Sequence, residues 1–497
     1  MKLIVEKLLG AAFLLLLIFS CAKQPETIVI DDAPESPQNL PEQDSLTTEA
    51  TESADFKQLI IGELHPISTL DPLFADNNSA KRTIQILYEG LVDFNEQGDV
   101  IPALAKRWRV TGDSLAYVFT LRNDRFFHDS DVFSNGLGRK VMASDVKFAF
   151  ERMARNTVPD AAARLFMAID GFEPYFQEQH NVLNPAYREI EGVSGIQASN
   201  DTTVVFQLAE KDPHFLQKMA SPYASVYPRE AIKDTPQNFD PVGTGPFQLS
   251  QQIGDSVYVF SENQDYNTQS KNIPLLDRVD VIVEGNESNM LQALAAGTIH
   301  VIPEVGPQTL SNILNTNGNL SPAYATDYNF STPGGTTTYS LRYNPNAVDS
   351  NDGVRSIFAG IDYSQISRQI PNNILQVMAS PDSVPAGATY QASTIFSTYS
   401  EDPYQRWFLQ KLANLWQGEP KLQIIRIRTP SRHTALYTTS SVPFYPGQVL
   451  HSSTNLLTTY TVKQSTLTIK NIQNLQFNQY PWWINLNTAD MPGIDQL

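Results

Sequence analysis

The chain contains a single cysteine, Cys21, and it follows an apolar run from Leu8 to Phe19. With one thiol, neither a disulfide within the chain nor a cysteine-based metal site can form. The folded part must therefore be held together by hydrophobic cores. A chain of 497 residues, of which 41% are hydrophobic, is long enough for two or three such cores.

Residues 1–20 have the pattern of a secretory signal peptide: basic residues, an apolar run and then the small Ser20. The run is too short to span a bilayer as a finished helix. The segment Ile18-Phe19-Ser20-Cys21 resembles a bacterial lipobox, which implies that Cys21 is lipidated. An ordinary signal peptide with an incidental cysteine is the alternative.

The segment from Cys21 to Lys57 is rich in Pro, Ser, Thr and acidic residues. It lacks the apolar surface needed for a core, so we expect a disordered acidic tether. The whole chain is also acidic, with a net charge of −18 and a pI near 4.8. A nucleic-acid partner is therefore not expected, because binding phosphates requires a field of Lys and Arg.

The body of the chain alternates strand and helix patterns, which predicts an α/β fold. Expected strands are Leu59–Leu64, Tyr117–Arg122 in a hairpin that begins at Trp108, Val279–Val283 and Lys421–Arg428. Expected helices are Lys81–Leu91, one that starts at Ser144-Asp145, Ser288–Ala296 and Tyr404–Trp416.

Four motifs resemble the bacterial extracellular solute-binding proteins of family 5, the receptors of peptide- and nickel-type ABC importers. They occur in the family's order over roughly residues 58–370. They are Thr69-Leu70-Asp71-Pro72 with Tyr88-Glu89-Gly90-Leu91, Tyr117–Arg122 with Phe126-Phe127-His128-Asp129 and Ala143–Phe150, Pro241-Val242-Gly243-Thr244-Gly245-Pro246-Phe247, and Tyr339–Asn344 with Val354–Tyr363.

This resemblance implies a two-lobed periplasmic-binding-protein-like α/β fold of type II, in the large peptide-receptor class with an added inserted domain. We expect the first lobe at 58–330, with the smaller inserted domain at about 92–230. The second lobe would occupy 331–497, shortened, with its last strands returning toward the first lobe. The implied function is capture of a dipeptide or oligopeptide by hinge closure between the lobes, without cofactor or metal.

The resemblance also implies partners: the permease and ATPase subunits of an ABC importer, and a membrane reached through the lipid anchor. We expect a monomer in the cell envelope, periplasmic or otherwise outside the cytoplasm. Whether the anchor lies in an inner or an outer membrane stays open. The expected ligand-binding residues are His65, Ser68, Thr69, Thr244, Tyr339, Arg342, Asn344 and Asp490.

Asp490 is expected because peptide receptors pair an acidic residue of the third region with the ligand's amino terminus. The segment Ala489-Asp490-Met491-Pro492 is one candidate for that loop. In the other interpretation, which we favour, the segments Val442–Tyr445 and Leu467–Leu475 resemble the family's closing strands. The carboxyl end would then be complete and the acidic loop missing. A shortened, degenerate receptor with a structural or assembly role is therefore an alternative function.

Two further motifs contain residue types that occur in catalytic or metal sites. Gly112-Asp113-Ser114-Leu115 matches a short string of secreted ester hydrolases, but a nucleophilic serine needs a nearby base. None of the histidines follows an aspartate at the spacing of that class, so a hairpin turn is expected. His128 beside Asp129 is interpreted as part of a solvated loop and not as a metal site. No enzyme activity is expected.

Overall fold

The computed structural model describes residues 56–233, 239–266, 275–343, 361–362, 364–378, 396–398, 402–415, 422–424, 436–441 and 456–491. Cys21, most of the expected tether, Asn344 and the segment around 442–445 lie outside these residues. Across the described ranges, no helix has both the length and the apolar character that crossing a bilayer requires.

The helices are short and are spread along the chain. In chain order they are α1 (Asn78–Leu87), α2 (Ala143–Met153), α3 (Asp160–Leu165), α4 (Phe172–Asn181), α5 (Phe215–Met219), α6 (Glu287–Ala295), α7 (Pro307–Ile313), α8 (Pro322–Ala325), α9 (Ser364–Ser367) and α10 (Pro403–Leu415).

The strands alternate with these helices. They are β1 (Gln58–Glu63), β2 (Val92–Phe94), β3 (Val100–Pro102), β4 (Ala105–Val110), β5 (Ala116–Leu121), β6 (Ile196–Asn200), β7 (Thr203–Gln207), β8 (Phe247–Ile253), β9 (Val257–Glu262), β10 (Arg278–Val283), β11 (Val301–Ile302), β12 (Tyr328–Ser331), β13 (Thr336–Tyr343), β14 (Leu375–Met378), β15 (Phe396–Thr398), β16 (Leu422–Ile424), β17 (Leu436–Ser441), β18 (Leu456–Lys463), β19 (Thr466–Ile469), β20 (Gln476–Phe477) and β21 (Ile484–Asn485).

In the described part of the chain, the largest sheet has seven strands in the order β12-β19-β11-β1-β10-β9-β8. Its central strand β1 runs parallel to β10 and to β11, while the outer pairs are antiparallel. Both faces of β1 are covered: Leu59 and Ile61 belong to one hydrophobic core, and Ile60 packs against another. Coverage of both faces is typical of a parallel pair in an α/β protein.

Two four-stranded antiparallel sheets accompany the large one. The sheet β4-β5-β7-β6 packs with α2 in a core formed mainly by residues between 91 and 226. The sheet β14-β18-β13-β17 packs with α7 and α10 in a second core. Strand β19 follows β18 but joins the seven-stranded sheet, so the end of the chain contributes to the same sheet as its first strand.

The turn Gly243-Thr244-Gly245 lies against the end of α1. The N–H of Gly245 donates to the Leu87 carbonyl at 2.8 Å. A Cβ on Gly243 would lie only 1.9 Å from that oxygen, so close backbone approach explains the glycine. Helix α1 ends at Leu87 rather than at the expected Leu91, because Tyr88 is already extended.

His128 binds the same turn and is buried, so the prediction that it belongs to a solvated loop is wrong. The side chain is buried; its Nε2 lies 3.0 Å from the Gly245 carbonyl, and its Nδ1 accepts from the Gly243 N–H at 3.4 Å. Burial lowers the pKa of His128 to about 4. The ring is therefore neutral, with the proton on Nε2, and its two hydrogen bonds stabilise the turn.

The predicted hairpin is present and contains Ser114 in its turn. Strands β4 and β5 pair antiparallel, and Ser114 adopts a positive φ of 60°. Asp113 accepts hydrogen bonds from the Thr111 hydroxyl and the Leu115 N–H, as a turn-forming aspartate does. These contacts give the Gly-Asp-Ser-Leu string a role in the turn.

Helix α2 starts one residue earlier than expected. Its first residue is Ala143, and Asp145 lies in the first turn, where its carboxylate accepts from the Met142 N–H at 2.9 Å. Arg139 binds the same carboxylate through both terminal nitrogens. The acidic residue therefore stabilises the helix start from inside the first turn and not from the cap position.

Candidate functional site

Five charged or ionisable side chains meet at the carboxyl ends of the parallel strands β1 and β11. Glu63 ends β1 and His65 follows it, Glu304 comes two residues after β11, Arg82 is on α1, and Asp402 precedes α10. In open α/β sheets this edge is where ligands bind. We call these five residues the charged cluster.

Glu63 and Arg82 form the base of the charged cluster. Both are about 1% exposed. Arg82 donates from Nε to Glu63 Oε1 at 2.7 Å and from Nη2 to Oε2 at 2.6 Å, and a further bond reaches the Pro481 carbonyl. Ser79 Oγ also donates to Glu63 at 2.6 Å. This bidentate, fully bonded pair is the geometry in which a buried ion pair is tolerated.

His65 and Glu304 form a second, looser pair. His65 Nε2 lies 3.9 Å from Glu304 Oε1, and Asn78 donates to the other carboxylate oxygen at 3.3 Å. Burial alone would lower the pKa of His65, but its interactions with Glu304 raise it to about 9. Burial likewise opposes ionisation of Glu304, yet His65 and Arg82 lower its pKa to about 2. Both groups are charged at neutral pH.

Asp402 brings a further carboxylate from a distant part of the chain. One oxygen caps α10 by accepting from the Gln405 N–H at 2.9 Å. The other accepts from the hydroxyl of Tyr339 on β13 at 3.3 Å. Burial raises the pKa of Asp402, while the charge of His65 opposes that rise. The carboxylate of Asp402 is thus electrostatically coupled to the end of β1.

Aromatic rings fix the wall behind Asp402. Tyr339 stacks on Tyr460 with ring centroids 4.8 Å apart, and Tyr460 stacks on Phe408 at 4.2 Å. Next to them, Glu304, Tyr339 and Gln464 line a cavity of about 10 Å³, which is just enough for one water. The side-chain oxygen of Gln464 is buried there without a hydrogen-bond donor in the described part of the chain.

The structure brings two of the expected ligand residues together here. His65 is a member of the charged cluster, and Tyr339 contacts Asp402. Thr69 lies nearby in sequence, but its hydroxyl accepts from the Asp71 N–H at 3.0 Å in a local turn. Ser68 is exposed on the same loop.

The other expected residues lie elsewhere. Thr244 is buried in the turn against α1, beside Glu89, and Arg342 is half-buried on β13. Asp490 binds Lys57, with Nζ at 2.7 Å, next to the amino end of β1. A six-residue strand spans about 20 Å, so Asp490 and the charged cluster are at opposite ends of β1.

Sequence reasoning missed Glu63, Arg82, Glu304 and Asp402. Charged residues are mostly exposed, so their types do not predict burial. One signal was available: Asp402 and Pro403 precede the apolar positions of α10, which is a typical helix start. Asp402 is therefore an acidic side chain that the motifs did not single out. That the acidic loop of the peptide receptors is missing stays a prediction.

Comparison of the sequence with known proteins identifies the family. A sequence model of the bacterial extracellular solute-binding proteins, family 5 (middle region), matches residues 99–405. Di/tripeptide-binding protein 4 of Pseudomonas aeruginosa is 30% identical over 210 residues, which are 41% of this chain and 36% of that protein. Di/tripeptide-binding protein 1 of the same species is 28% identical over 278 residues, 54% of this chain and 47% of that protein. The matches thus span less than half of these relatives.

The solved structures support the fold over a longer range. The structure of Haemophilus influenzae OppA in complex with RPPGFSPFR aligns with a TM-score of 0.68 at 13% identity. It covers 88% of this chain and 99% of that chain. This confirms the predicted two-lobed α/β fold of type II. With the family match extending over more than half of its residues, the chain belongs to the bacterial extracellular solute-binding proteins of family 5.

Proposed function

We propose that this chain is the substrate-binding receptor of an ABC importer and that it captures dipeptides or short oligopeptides. The observation that carries the proposal is the family match over residues 99–405. Residues 58–330 would form the first lobe, with the inserted domain at about 92–230, and residues 331–497 the second. Peptide-binding relatives make peptides the first solutes to test.

The charged cluster is the ligand site in this proposal. A peptide carries one ammonium and one carboxylate, and the cluster offers groups of both signs. Asp402, held by Tyr339 and by the start of α10, would pair with the ammonium group. The oxygen of Gln464, which lacks a donor within the described ranges, would accept a peptide N–H. His65 would attract the carboxylate.

The present cavity of about 10 Å³ cannot hold a peptide. Capture therefore requires the elements around the charged cluster to separate and close again, as in hinge-type receptors. We propose that this motion opens a cleft between the two lobes beside the charged cluster.

Delivery would depend on the remaining parts of the chain. Cys21, lipidated after signal-peptide removal, would anchor the protein to a membrane of the cell envelope, and the acidic tether would hold the body above the lipid. The closed receptor would dock as a monomer on the permease, whose ATPase subunits supply the energy. The receptor itself would perform no bond chemistry.

Calorimetry with a library of di- and tripeptides tests this proposal. We expect binding of at least one peptide, and a loss of tenfold or more in affinity for Asp402→Asn. Asp490→Asn is the matched control, because that carboxylate binds Lys57 instead, and it should leave the affinity unchanged. Mass analysis of small molecules released on denaturation gives the natural cargo.

A structural or assembly lipoprotein is the second candidate, and the very small cavity at the charged cluster favours it. This candidate predicts no heat with peptides, sugars or metal ions and no retained small molecule. A third candidate, an ester hydrolase, predicts turnover that disappears in Ser114→Ala. Absence of peptide binding by the wild type would refute the receptor proposal.

A further inference from the structure

A second cavity, separate from the charged cluster, lies where the end of α1 meets β2 and the last residues described. Its volume is about 210 Å³, many times the roughly 10–15 Å³ that one water requires. Residues between 85 and 103, around 221 and from 483 to 488 form most of its wall. None of the described residues that line it belongs to β13, which carries Tyr339, or to α10, which begins just after Asp402. We call it the β2 cavity.

The lining of the β2 cavity is rich in hydrogen-bond acceptors. Among the described residues, the side-chain oxygens of Gln85, Ser221 and Asn487 are buried without a partner, and Ser221 is only 3% exposed. Leaving such buried groups unpaired is unfavourable. A bound molecule that donates hydrogen bonds, or ordered water, would relieve that cost.

The charge of the lining has one sign. Glu89, Asp93 and Glu96 contribute carboxyl groups, and the described residues that line the cavity include no Lys, Arg or His. Arg125 Nε lies 3.8 Å from Glu89 Oε2, and the Tyr266 hydroxyl donates to Glu89 Oε1 at 3.1 Å. The charge of Glu89 is therefore partly compensated. Asp93 accepts from the Phe94 N–H at 2.7 Å and from Trp483 Nε1 at 3.3 Å, both at Oδ1. Its Oδ2 accepts no hydrogen bond from the described residues.

The same wall also has apolar faces, including Ile86, Phe94 and Leu486. A metal ion is a poor match: no group of three His, Cys, Asp or Glu side chains within the described ranges is arranged to hold one. A small organic cation fits better, because its alkyl part can contact the apolar faces while its N–H groups reach the free oxygens.

We propose that the β2 cavity is a second binding site that takes a small alkyl ammonium compound, with Asp93 as its counter-ion and Ser221 and Asn487 as hydrogen-bond acceptors. The site is independent of peptide capture at the charged cluster. Burial of Asp93 raises the pKa of its carboxyl group to about 6. The carboxylate is therefore ionised at pH 8, the pH of the test below.

Calorimetry at pH 8 with 1,4-diaminobutane tests the proposal on the full folded protein. We expect saturable binding that exceeds the response to NaCl of equal ionic strength, and none to 1,4-butanediol, which has the same shape without charge. Asp93→Asn should weaken binding tenfold or more, and Ser221→Ala should weaken it severalfold. The control variant Asp99→Asn replaces an exposed carboxylate of the same β2–β3 hairpin, and it should leave diamine affinity unchanged.

The charged-cluster variant Asp402→Asn separates the two sites, because it should lose peptide affinity and keep diamine affinity. Circular dichroism establishes that each variant is folded. Absence of diamine binding would mean that water alone fills the β2 cavity and would overturn the proposal. Unchanged binding in both Asp93→Asn and Ser221→Ala, or loss of diamine binding only in Asp402→Asn, would overturn it as well.

Discussion

Arg82 and Glu63 form an ion pair inside the protein in which each group compensates the other. Two hydrogen bonds join their forked groups, and Ser79 satisfies a remaining carboxylate site. Such a pair adds little stability compared with apolar residues of the same size. Replacing only one of the two residues lowers stability, because its partner then stays buried and uncompensated.

Arg82→Met should therefore lower the free energy of unfolding by about 3–5 kcal/mol. Arg164→Ala is the control: that arginine forms an i,i+4 pair with Asp160 on the surface and is 70% exposed. Its loss should cost no more than about 0.5 kcal/mol. Urea denaturation of both variants gives the comparison, and equal losses would contradict the assigned role of burial.

The His65–Glu304 pair should make stability depend on pH at both ends of the range. The pKa of His65 rises from 6.5 to about 9 on folding, so its stabilisation is complete below pH 6.5 and is lost as the pH rises through 9. The pKa of Glu304 falls from 4.5 to about 2, so its stabilisation is lost as the pH falls from 4.5 toward 2.

His65→Gln should flatten the loss of stability between pH 6.5 and 9 relative to the wild type. Denaturation midpoints at intervals of one pH unit test this expectation, with His180→Gln as a half-buried control outside the charged cluster. Parallel pH profiles of wild type and His65→Gln would contradict it.

At the residue scale, the sequence motifs led to two residues at the candidate site, and their role in ligand binding stays a prediction. His65 and Tyr339 were expected from motif position, and both lie at the charged cluster. Glu63, Arg82, Glu304 and Asp402 were not, since a charged residue is normally a surface residue and their meeting depends on chain separations of up to several hundred residues. The position of Asp490 likewise depends on a contact with Lys57, which is more than 400 residues away in the chain.

The element that most clearly shows sequence constraint is the turn Gly243-Thr244-Gly245. Its glycines allow the backbone to approach the end of α1, and His128 binds both sides of the turn. Sequence patterns predicted β1, β5, β10 and α10 to within a few residues. They extended α1 too far, because the apolar spacing continues past Tyr88 into residues that are not helical.

Gly243→Ala should destabilise the protein by about 1–3 kcal/mol, as overpacking at a rigid contact does. The added methyl would press on the Leu87 carbonyl. Gly112→Ala is the matched control, because a Cβ there meets nothing within 4 Å. Thermal unfolding followed by circular dichroism distinguishes the two variants, and equal melting temperatures would contradict the contact.

At the scale of the whole molecule, the proposed function requires a change of shape. Small-angle X-ray scattering should show a smaller radius of gyration when a bound peptide closes the lobes. Asp402→Asn should show no such change at the same peptide concentration. A radius of gyration that stays constant in the wild type at saturation would contradict hinge closure while leaving the family assignment intact.

Strand β1 occupies the middle of the largest sheet, yet its partners lie far along the chain. Gln58 pairs with Arg278, and β11, on its other side, pairs with β19 from residue 466 onward. During synthesis, the first strand of the described residues is therefore made more than two hundred residues before the strands that enclose it. The seven-stranded sheet therefore cannot be completed until almost the whole chain has been synthesised.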